Sequence, residues 1–187
     1  MLIRTHIGVS LDGFMASPDG MPAWDAVPTF VPGESHGYAE FIAQCEAIVI
    51  GRAVFDFGHA YWTEQGGWPW EGRRVYVLTS HPLPANPHAS VAGAEGSPAG
   101  LVARLRGAGL TRDVQVLGGA RTLRAFLGLG AIDRLGVVVL PILLGDGIPL
   151  YAPGAAPRSA LRLERHRAFP DGAVELVYTR ADGGETR

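Results

Sequence analysis

At 187 residues and a formal net charge of -2, the chain has the length of one domain with its own buried core. All 16 basic residues are arginines, which excludes Schiff-base chemistry and the usual P-loop, because both need a lysine amine. The single cysteine excludes an intrachain disulfide and favours a cytoplasmic protein. The near-neutral charge argues against nucleic acid as a partner, no apolar run is long enough for a membrane span, and the scattered histidines predict no metal site.

The first two thirds of the chain alternate apolar, strand-like segments with helical patterns. Residues 2–9 predict a strand, and a loop rich in glycine and proline follows to about residue 33. From Ser35 onward a helix is predicted by the spacing i, i+3, i+4, i+7 of Tyr38, Phe41, Ile42 and Cys45. Continuous apolar runs, typical of buried parallel strands, lie at 47–50, 75–78 and 114–117. With a further helix predicted at 98–107, the alternation indicates a parallel sheet covered by helices on both faces.

The last third of the chain changes to an antiparallel pattern. Residues 133–140 predict a long strand, and residues 142–150 are rich in turn formers. Residues 161–169 and 173–180 flank Pro170-Asp171-Gly172 as the two strands of a hairpin. We therefore expect a mixed sheet that ends in an antiparallel hairpin.

The strongest functional signal is a glycine pair between a buried strand and a helix. Gly118 and Gly119 follow the apolar run at 114–117, and the helix predicted after them carries Arg121 in its first turn. Glycines allow a phosphate to approach the backbone, and the unpaired N–H groups at a helix N terminus favour negative charge. The segment predicts an anion site, while a turn of this kind also occurs for purely structural reasons.

Three of the predicted parallel strands end in residues that can donate hydrogen bonds to phosphate. Ligands of open parallel sheets bind outside the carboxyl ends of the strands, so the three ends together could hold a dinucleotide. Arg52, Ser80 and Arg121 favour NADPH over NADH, because arginine binds a 2′-phosphate whereas an acid binds a free ribose. The predicted cofactor-binding residues are Gly51, Arg52, Thr79, Ser80, His81, Gly118, Gly119, Ala120, Arg121 and Thr122.

Five motifs follow one another along the chain: Ser10-Leu11-Asp12-Gly13, Gly51-Arg52-Ala53-Val54-Phe55, Leu78-Thr79-Ser80, Gly118-Gly119 and the segment 143–150. Their order resembles the dihydrofolate reductase superfamily. The chain is most similar to the C-terminal reductase domain of bacterial bifunctional riboflavin biosynthesis proteins and its stand-alone relatives. The similarity covers residues 2–180, and we expect one domain over 1–180 with a tail at 181–187.

This resemblance implies a three-layer αβα fold with a mixed, mainly parallel central sheet and a C-terminal antiparallel hairpin. It also implies NADPH as the hydride donor and, in many members, a homodimer. By motif, it places Gly51, Arg52 and Ser80 on the adenosine phosphate side of the cofactor. The residues that it places on the pyrophosphate are Gly118, Gly119 and Arg121.

On the substrate side, Asp12 is the candidate catalytic residue. The resemblance places its motif near the nicotinamide, whereas the residues alone are equally compatible with an Asp-Gly turn. Trp24 resembles a residue of the mobile substrate loop of folate reductases, and Asp25 beside it is a further candidate. Folate reductases also carry an acid at the start of the first long helix, for which this chain offers only Glu34 and Glu40 nearby.

A cluster of aromatic residues could form the wall of a substrate pocket. Tyr61 and Trp62, with Trp68 and Trp70, are suited to contact a flat heterocycle such as a pterin, flavin or pyrimidine. For Trp68 and Trp70 we favour the alternative, a packed aromatic cap over one end of the sheet. A pocket of this kind leaves a bound flavin as a less favoured cofactor.

Residues 33–37 satisfy the G-x-S-x-G pattern of serine hydrolases, which makes an esterase a distant alternative. Ser35 would be its nucleophile, with Asp133 or Asp146 and His166 completing a triad, but prolines interrupt the strand that should precede the serine. A non-catalytic nucleotide- or ligand-binding homodimer is the second alternative. The sequence favours an NADPH-dependent reductase of a small heterocyclic or carbonyl substrate.

Overall fold

An eight-stranded mixed sheet forms the centre of the protein. The computed structural model describes residues 1–31, 35–65, 67–84, 88–151 and 159–181, except for the side chains of residues 60–65. The strands are β1 (Ile3–Ser10), β2 (Phe14–Ala16), β3 (Cys45–Gly51), β4 (Arg74–Leu78), β5 (Val91–Ala94), β6 (Asp113–Gly118), β7 (Arg134–Leu140), β8 (Ile148–Pro149), β9 (Leu161–Ala168) and β10 (Val174–Arg180). The helices are α1 (Tyr38–Ile42), α2 (Arg52–Gln65), α3 (Pro98–Gly107) and α4 (Ala120–Gly128), with short 3-10 helices at Ala23–Ala26 and Ser35–Gly37.

The sheet has the strand order β5-β4-β3-β6-β1-β7-β10-β9. The six strands from β5 to β7 are parallel to their neighbours, and β10 and β9 continue the sheet in antiparallel pairing. This arrangement confirms the predicted α/β fold with a C-terminal hairpin. β2 and β8 pair separately as a small antiparallel ribbon. Among the described residues, no helix is both long and apolar enough to cross a membrane.

Helices pack on both faces of the central strands because the strands are apolar on both sides. On one face, side chains of β1, β3, β6 and β7 form a core with α3 and α4, in which Leu123 and Phe126 are fully buried. On the other face, Phe55 of α2 packs against β3 and β4. α3 begins at a capped position, since Ser97 Oγ accepts a hydrogen bond of 3.1 Å from Gly100 N.

The structure corrects one sequence-based expectation and adds two features that the sequence analysis did not predict. The helix predicted from Ser35 is limited to α1, because Cys45, the last residue of the apolar pattern, already belongs to β3. The β2–β8 ribbon and the edge strand β5 were not predicted. Both strands of the ribbon are too short to show an alternating pattern, and β5 contains alanine and glycine instead of β-branched residues.

In the described structure, the helices that cover the parallel strands do not extend over the antiparallel C-terminal edge of the sheet. All eight residues of β9 are exposed, in contrast to β1, which is buried along nearly its whole length. The sheet therefore ends in a hairpin whose outer strand meets solvent.

A buried ion pair connects this hairpin to the centre of the sheet. Glu175 on β10 is 3% exposed, and its carboxylate lies 3.0 Å from Arg165 Nη2 and 3.4 Å from His6 Nδ1. Burial raises the pKa of Glu175, but the His6 ring and the Arg165 guanidinium outweigh it, so that the pKa lies below the usual value of 4.5.

We expect Glu175→Gln to lower the free energy of unfolding by about 1–3 kcal/mol at pH 7, because it removes the buried charge that Arg165 and His6 contact. A carboxyl with a lowered pKa stabilises the fold above its unfolded-state pKa, and this contribution disappears as the pH falls through the folded-state value. Urea titrations should therefore show the deficit at pH 7 and a much smaller one near pH 3. Glu164→Gln is the control, because its half-exposed pair with Arg134 should contribute less than about 1 kcal/mol. A deficit that stays constant with pH would refute the charge argument.

Candidate cofactor site

The N termini of α2 and α4 meet at the carboxyl ends of β3 and β6. A Cβ atom built on Gly51 would lie 2.5 Å from Thr122 Oγ1 and 3.5 Å from both Gly118 O and Gly119 N. Thr122 is itself buried, so a side chain at position 51 would force apart the end of β3 and the first turn of α4. The glycine therefore permits the close approach of two helix N termini.

The glycine pair at the end of β6 is equally constrained. Gly118 has φ +124°, a conformation that favours glycine, and its peptide bond to Gly119 is cis. A Cβ atom on Gly119 would lie 2.8 Å from Val54 Cγ2 of α2. Gly119 is the N-cap residue of α4, whose first N–H groups have no intrahelical partner. The structure thus places the glycine pair at the N terminus of α4, and the anion site there stays a prediction.

Arg52, the first residue of α2, connects this helix to the loop after β4. Its Nε lies 2.7 Å from both carboxylate oxygens of Asp56, and its Nη1 donates to Pro82 O at 2.6 Å and contacts Thr79 Oγ1 at 3.5 Å. The side chain is 29% exposed. Arg52 is therefore held at the predicted phosphate position by protein acceptors, with part of its surface open to solvent.

The remaining predicted cofactor residues divide into exposed and buried groups. Ser80, His81 and Arg121 are exposed, so their side chains are accessible to a ligand at this edge. Thr79 is buried and shapes the turn, since its Oγ1 donates to His81 O at 2.9 Å and accepts from His81 N at 3.1 Å. Ala120, half-buried, begins α4. The ends of β3, β4 and β6 therefore share one edge of the sheet, as the sequence predicted.

Asp12 joins two of the motifs that carried the family resemblance. Its carboxylate accepts hydrogen bonds from Gly145 N at 2.7 Å and Leu144 N at 3.2 Å, in the segment that leads to β8. The Ser10 side chain, followed by these backbone donors, keeps the pKa of Asp12 below its usual value. At neutral pH Asp12 is therefore a carboxylate, which can hold a water molecule but cannot itself donate a proton. Its catalytic role stays a prediction.

The β2–β8 ribbon brings the Asp12 segment to the glycine pair. Met15 of β2 is buried, and its Cε would lie 3.8 Å from a Cβ atom on Gly118. From the other side, Arg124 of α4 donates hydrogen bonds to Pro149 O and Leu150 O, at the end of β8. The ribbon is thus fixed between β1 and α4, beside the predicted cofactor edge. The sequence indicated this position of the ribbon only indirectly, through the family motifs at 10–13 and 143–150.

Trp24 packs over β1 from the loop that follows β2. It lies in the 3-10 helix Ala23–Ala26, stacks on Phe30 with ring centroids 5.5 Å apart, and would contact a Cβ atom on Gly8 at 3.4 Å. Asp25, in the same turn, is exposed. Trp24 is half-buried, so one part of its ring remains accessible. Its contact with substrate stays a prediction.

The aromatic cluster is divided between a helix and the core. Tyr61 and Trp62 belong to α2, and their side chains lie outside the described part of the structure. Trp68 stacks on His88 with centroids 4.5 Å apart and meets Trp70 edge to face, while Trp70 is 4% exposed in the core under α2. Trp68 and Trp70 therefore form the packed aromatic cap that we favoured for them.

The sequence did not predict a link between the Trp24 loop and the β9–β10 hairpin. His36 is buried, and its Nε2 lies 2.7 Å from Asp171 Oδ2 in the hairpin turn. The His36 ring packs against Phe30, the residue on which Trp24 stacks, and edge-on against Phe169. The sequence shows a His-Gly pair at one end of this contact and a Pro-Asp-Gly turn at the other. Because His36 and Asp171 are 135 residues apart, the sequence gave no indication that they meet.

The described residues do not assemble the esterase triad. Ser35 Oγ accepts a hydrogen bond from Val31 N, and residues 28–31 form no strand ahead of it. The proposed partners have other positions: Asp133 pairs with Arg106, Asp146 accepts from Gly147 N, and His166 lies opposite Leu176 on the hairpin.

The helix acid of folate reductases also has no clear counterpart in the described structure. Glu40 is exposed and lies 3.7 Å from Arg167, a surface ion pair. Glu34 lies outside the described residues.

Comparisons with known proteins agree with this architecture. The Bacillus subtilis (strain 168) protein YwjB, named as uncharacterized, is 30% identical over 176 residues, covering 94% of this chain and 96% of its own. A putative riboflavin biosynthesis protein from Shewanella sp. PV-4 superposes with a TM-score of 0.82 at 23% identity, covering 96% of this chain and 99% of its own.

A bifunctional Thermotoga maritima protein extends the comparison to a larger relative. This diaminohydroxyphosphoribosylaminopyrimidine deaminase/5-amino-6-(5-phosphoribosylamino)uracil reductase matches with a TM-score of 0.69 at 15% identity, covering 96% of this chain and 56% of its own. The profile of the RibD C-terminal domain family matches residues 2–174. Together with the fold and the order of its glycine-rich strand ends, this match shows that the chain belongs to the RibD C-terminal domain family.

Proposed function

We propose that the protein is an NADPH-dependent reductase of a small heterocyclic or carbonyl substrate. One observation carries this proposal: the N termini of α2 and α4 meet through Gly51 and Gly119 at the carboxyl edge of the parallel strands. A Cβ atom at either position would push the two helix N termini apart. Their close contact therefore fits a ligand whose phosphates are bound by backbone N–H groups.

In this proposal, each group of residues has a separate task. The first turn of α4 binds the pyrophosphate, and Arg52 with Ser80 binds the 2′-phosphate. Asp12 orders a water molecule, and Trp24 packs against the substrate. Bound NADPH supplies the hydride. A folded substrate loop excludes water from the reacting atoms, which is the part that Trp24 and Phe30 are placed to perform.

We expect calorimetric titration to show micromolar binding of NADPH and weaker binding of NADH. Arg52→Gln should weaken NADPH binding by about tenfold or more and change NADH binding little, because only NADPH carries the 2′-phosphate. Arg74→Gln is the matched control, since Arg74 is exposed at the opposite end of β4. Equal losses for both cofactors would contradict the phosphate role of Arg52. Failure of the unmodified protein to bind either cofactor would overturn the proposal.

A second candidate is a nucleotide-binding protein of the same fold without catalysis. It is favoured by the ionised state of Asp12, which removes the most obvious proton donor. NADPH oxidation, followed at 340 nm with pterins, flavins and pyrimidine nucleotides, distinguishes the two candidates. Turnover with any of these supports the reductase, whereas tight NADPH binding without oxidation across the panel supports the binding protein. Retention of a flavin chromophore after purification would instead support the less favoured flavin cofactor.

A further inference from the structure

His36 has an uncommon backbone conformation at the point where the chain enters α1. Its φ of +55° lies in the left-handed region, which residues other than glycine rarely adopt, and the residue is buried. Gly37 follows with φ +78° and is the N-cap residue of α1. Two consecutive left-handed residues turn the chain sharply, and the His36 ring reaches the turn of the β9–β10 hairpin. A backbone conformation of this kind persists where surrounding contacts stabilise it.

The carboxylate of Asp171 is shared between the hairpin turn and His36. Its Oδ1 accepts a hydrogen bond of 3.1 Å from Ala173 N, within the turn, and its Oδ2 lies 2.7 Å from His36 Nε2. Burial raises the pKa of Asp171, but the hydrogen bonds from His36 and Ala173 N outweigh it, so that the pKa lies below the usual value of 3.8. Ala173 is fully buried in the core, so the turn is a fixed support for the His36 ring.

Phe30 connects His36 to Trp24. The centroid of the Phe30 ring lies 5.7 Å from the His36 ring and 5.5 Å from the Trp24 ring, and the planes of Phe30 and Trp24 are within 20° of parallel. Trp24 also packs over β1, where its Cε3 would lie 3.4 Å from a Cβ atom on Gly8. The indole is therefore held by β1 and by Phe30, and Phe30 in turn packs against His36.

The start of the same loop is anchored independently of His36. Ala23 and Val27 are 1% and 6% exposed, and they pack with Val138 and Leu140 of β7 in one apolar cluster. Loss of the His36 contact should therefore leave the loop folded but release the Phe30 ring, and Trp24 with it. A side chain that depends on few contacts responds to the loss of a single one.

We propose that His36 and Asp171 form a positioning pair for Trp24, the residue that the proposed reductase places against its substrate. The role of Trp24 rests on that proposed function, whereas the contact itself rests on the geometry of the pair. Neither His36 nor Asp171 touches the reacting atoms. They act through Phe30, which sets where the indole lies over β1. An aromatic wall that is already in position lowers the cost of ordering a substrate against it.

Acrylamide quenching of tryptophan fluorescence tests the positioning without any cofactor. We expect His36→Ala to raise the quenching constant of Trp24 by about twofold or more, because the indole loses its fixed support. The contribution of Trp24 is isolated by comparing each variant with the same variant carrying Trp24→Phe. Asp171→Ala should have the same effect. The double variant of His36 and Asp171 should show no further increase, because the two residues act as one unit.

Glu40→Gln is the matched control. Glu40 of α1 lies 3.7 Å from Arg167 of β9, so it joins the same two parts of the chain through a surface ion pair, and its replacement should leave the quenching of Trp24 unchanged. An equal increase in Glu40→Gln would overturn the proposal, as would an unchanged constant in His36→Ala or an increase that persists in the Trp24→Phe background. Far-UV circular dichroism establishes that folded chains are compared. Asp171→Ala, at a side chain that is 21% exposed, decides by itself if His36→Ala does not fold.

The catalytic consequence is measured separately. With a compound of the pterin, flavin and pyrimidine panel that the unmodified chain reduces, His36→Ala should raise KM by about fivefold. NADPH affinity should stay within about twofold, since the residues assigned to NADPH lie on α2, α4 and the loop after β4. An unchanged KM would overturn the role of the pair in substrate binding. Failure of the unmodified chain to bind NADPH or to reduce any compound bears on the proposed function alone, because the quenching experiment still tests the position of Trp24.

Discussion

Replacing Gly119 with alanine is expected to weaken NADPH binding by at least about tenfold, equivalent to about 1.4 kcal/mol. The added Cβ would lie 2.8 Å from Val54 Cγ2, so either α2 or the first turn of α4 must move. The backbone angles at Gly119, φ -67° and ψ -164°, are open to alanine, and the effect is therefore one of close approach between two helices. Any shift of α4 moves the N–H groups that the proposal assigns to the pyrophosphate.

A second substitution provides the control for Gly119→Ala. Val54→Ala removes the methyl group that the new Cβ would meet, so the double variant should recover most of the lost affinity. Calorimetry on the two single variants and the double variant gives the coupling energy directly. The interpretation would be wrong if Gly119→Ala bound NADPH normally, or if Val54→Ala brought no recovery in the double variant while remaining normal by itself.

Phe126→Ala is expected to lower the free energy of unfolding by about 3–5 kcal/mol, the largest stability effect among these variants. Phe126 is fully buried in the core between α4 and the central strands, and its loss removes apolar contacts and leaves a cavity. Because α4 also supplies the proposed pyrophosphate site, NADPH binding should weaken together with stability. Urea unfolding, followed by circular dichroism, measures the stability change.

The matched control is Leu129→Ala at the C-terminal end of the same helix. Leu129 is 48% exposed, so its truncation should change the free energy of unfolding by less than about 0.5 kcal/mol. A loss below about 1 kcal/mol for Phe126→Ala would contradict the observed packing of α4 on the sheet. Both variants should be compared at the same protein concentration.

Much of the fold could be predicted because apolar periodicity and turn chemistry are local. The buried parallel strands appeared as continuous apolar runs, and α3 was predicted with its observed bounds. The hairpin followed from Pro170-Asp171-Gly172 between two alternating segments. α1 was overestimated because Cys45 continues a helical spacing while it belongs to a strand. The spacing of apolar residues cannot distinguish the last turn of a helix from the start of the strand that follows it.

For the site, the sequence identified which residues could lie at the edge but not what they contact. Gly51 and Gly119 were recognised as glycines in strand-to-helix turns, whereas the side chains that require them, Thr122 and Val54, come from other elements. Asp12 was placed near the site by its motif. Its bonds to Gly145 N and Leu144 N, and hence its ionised state, depend on a contact across more than 130 residues.

By itself, the sequence determined the buried parallel strands, the C-terminal hairpin and the positions of the glycines at the strand ends, since each is encoded by neighbouring residues. Only the tertiary structure decided that Asp12 binds the segment that leads to β8, that His36 binds the hairpin turn, and that the leucines of β9 remain exposed. The physical reason is that an alternating strand shows that one side is to be buried, whereas the surface that buries it is chosen by how the whole chain packs.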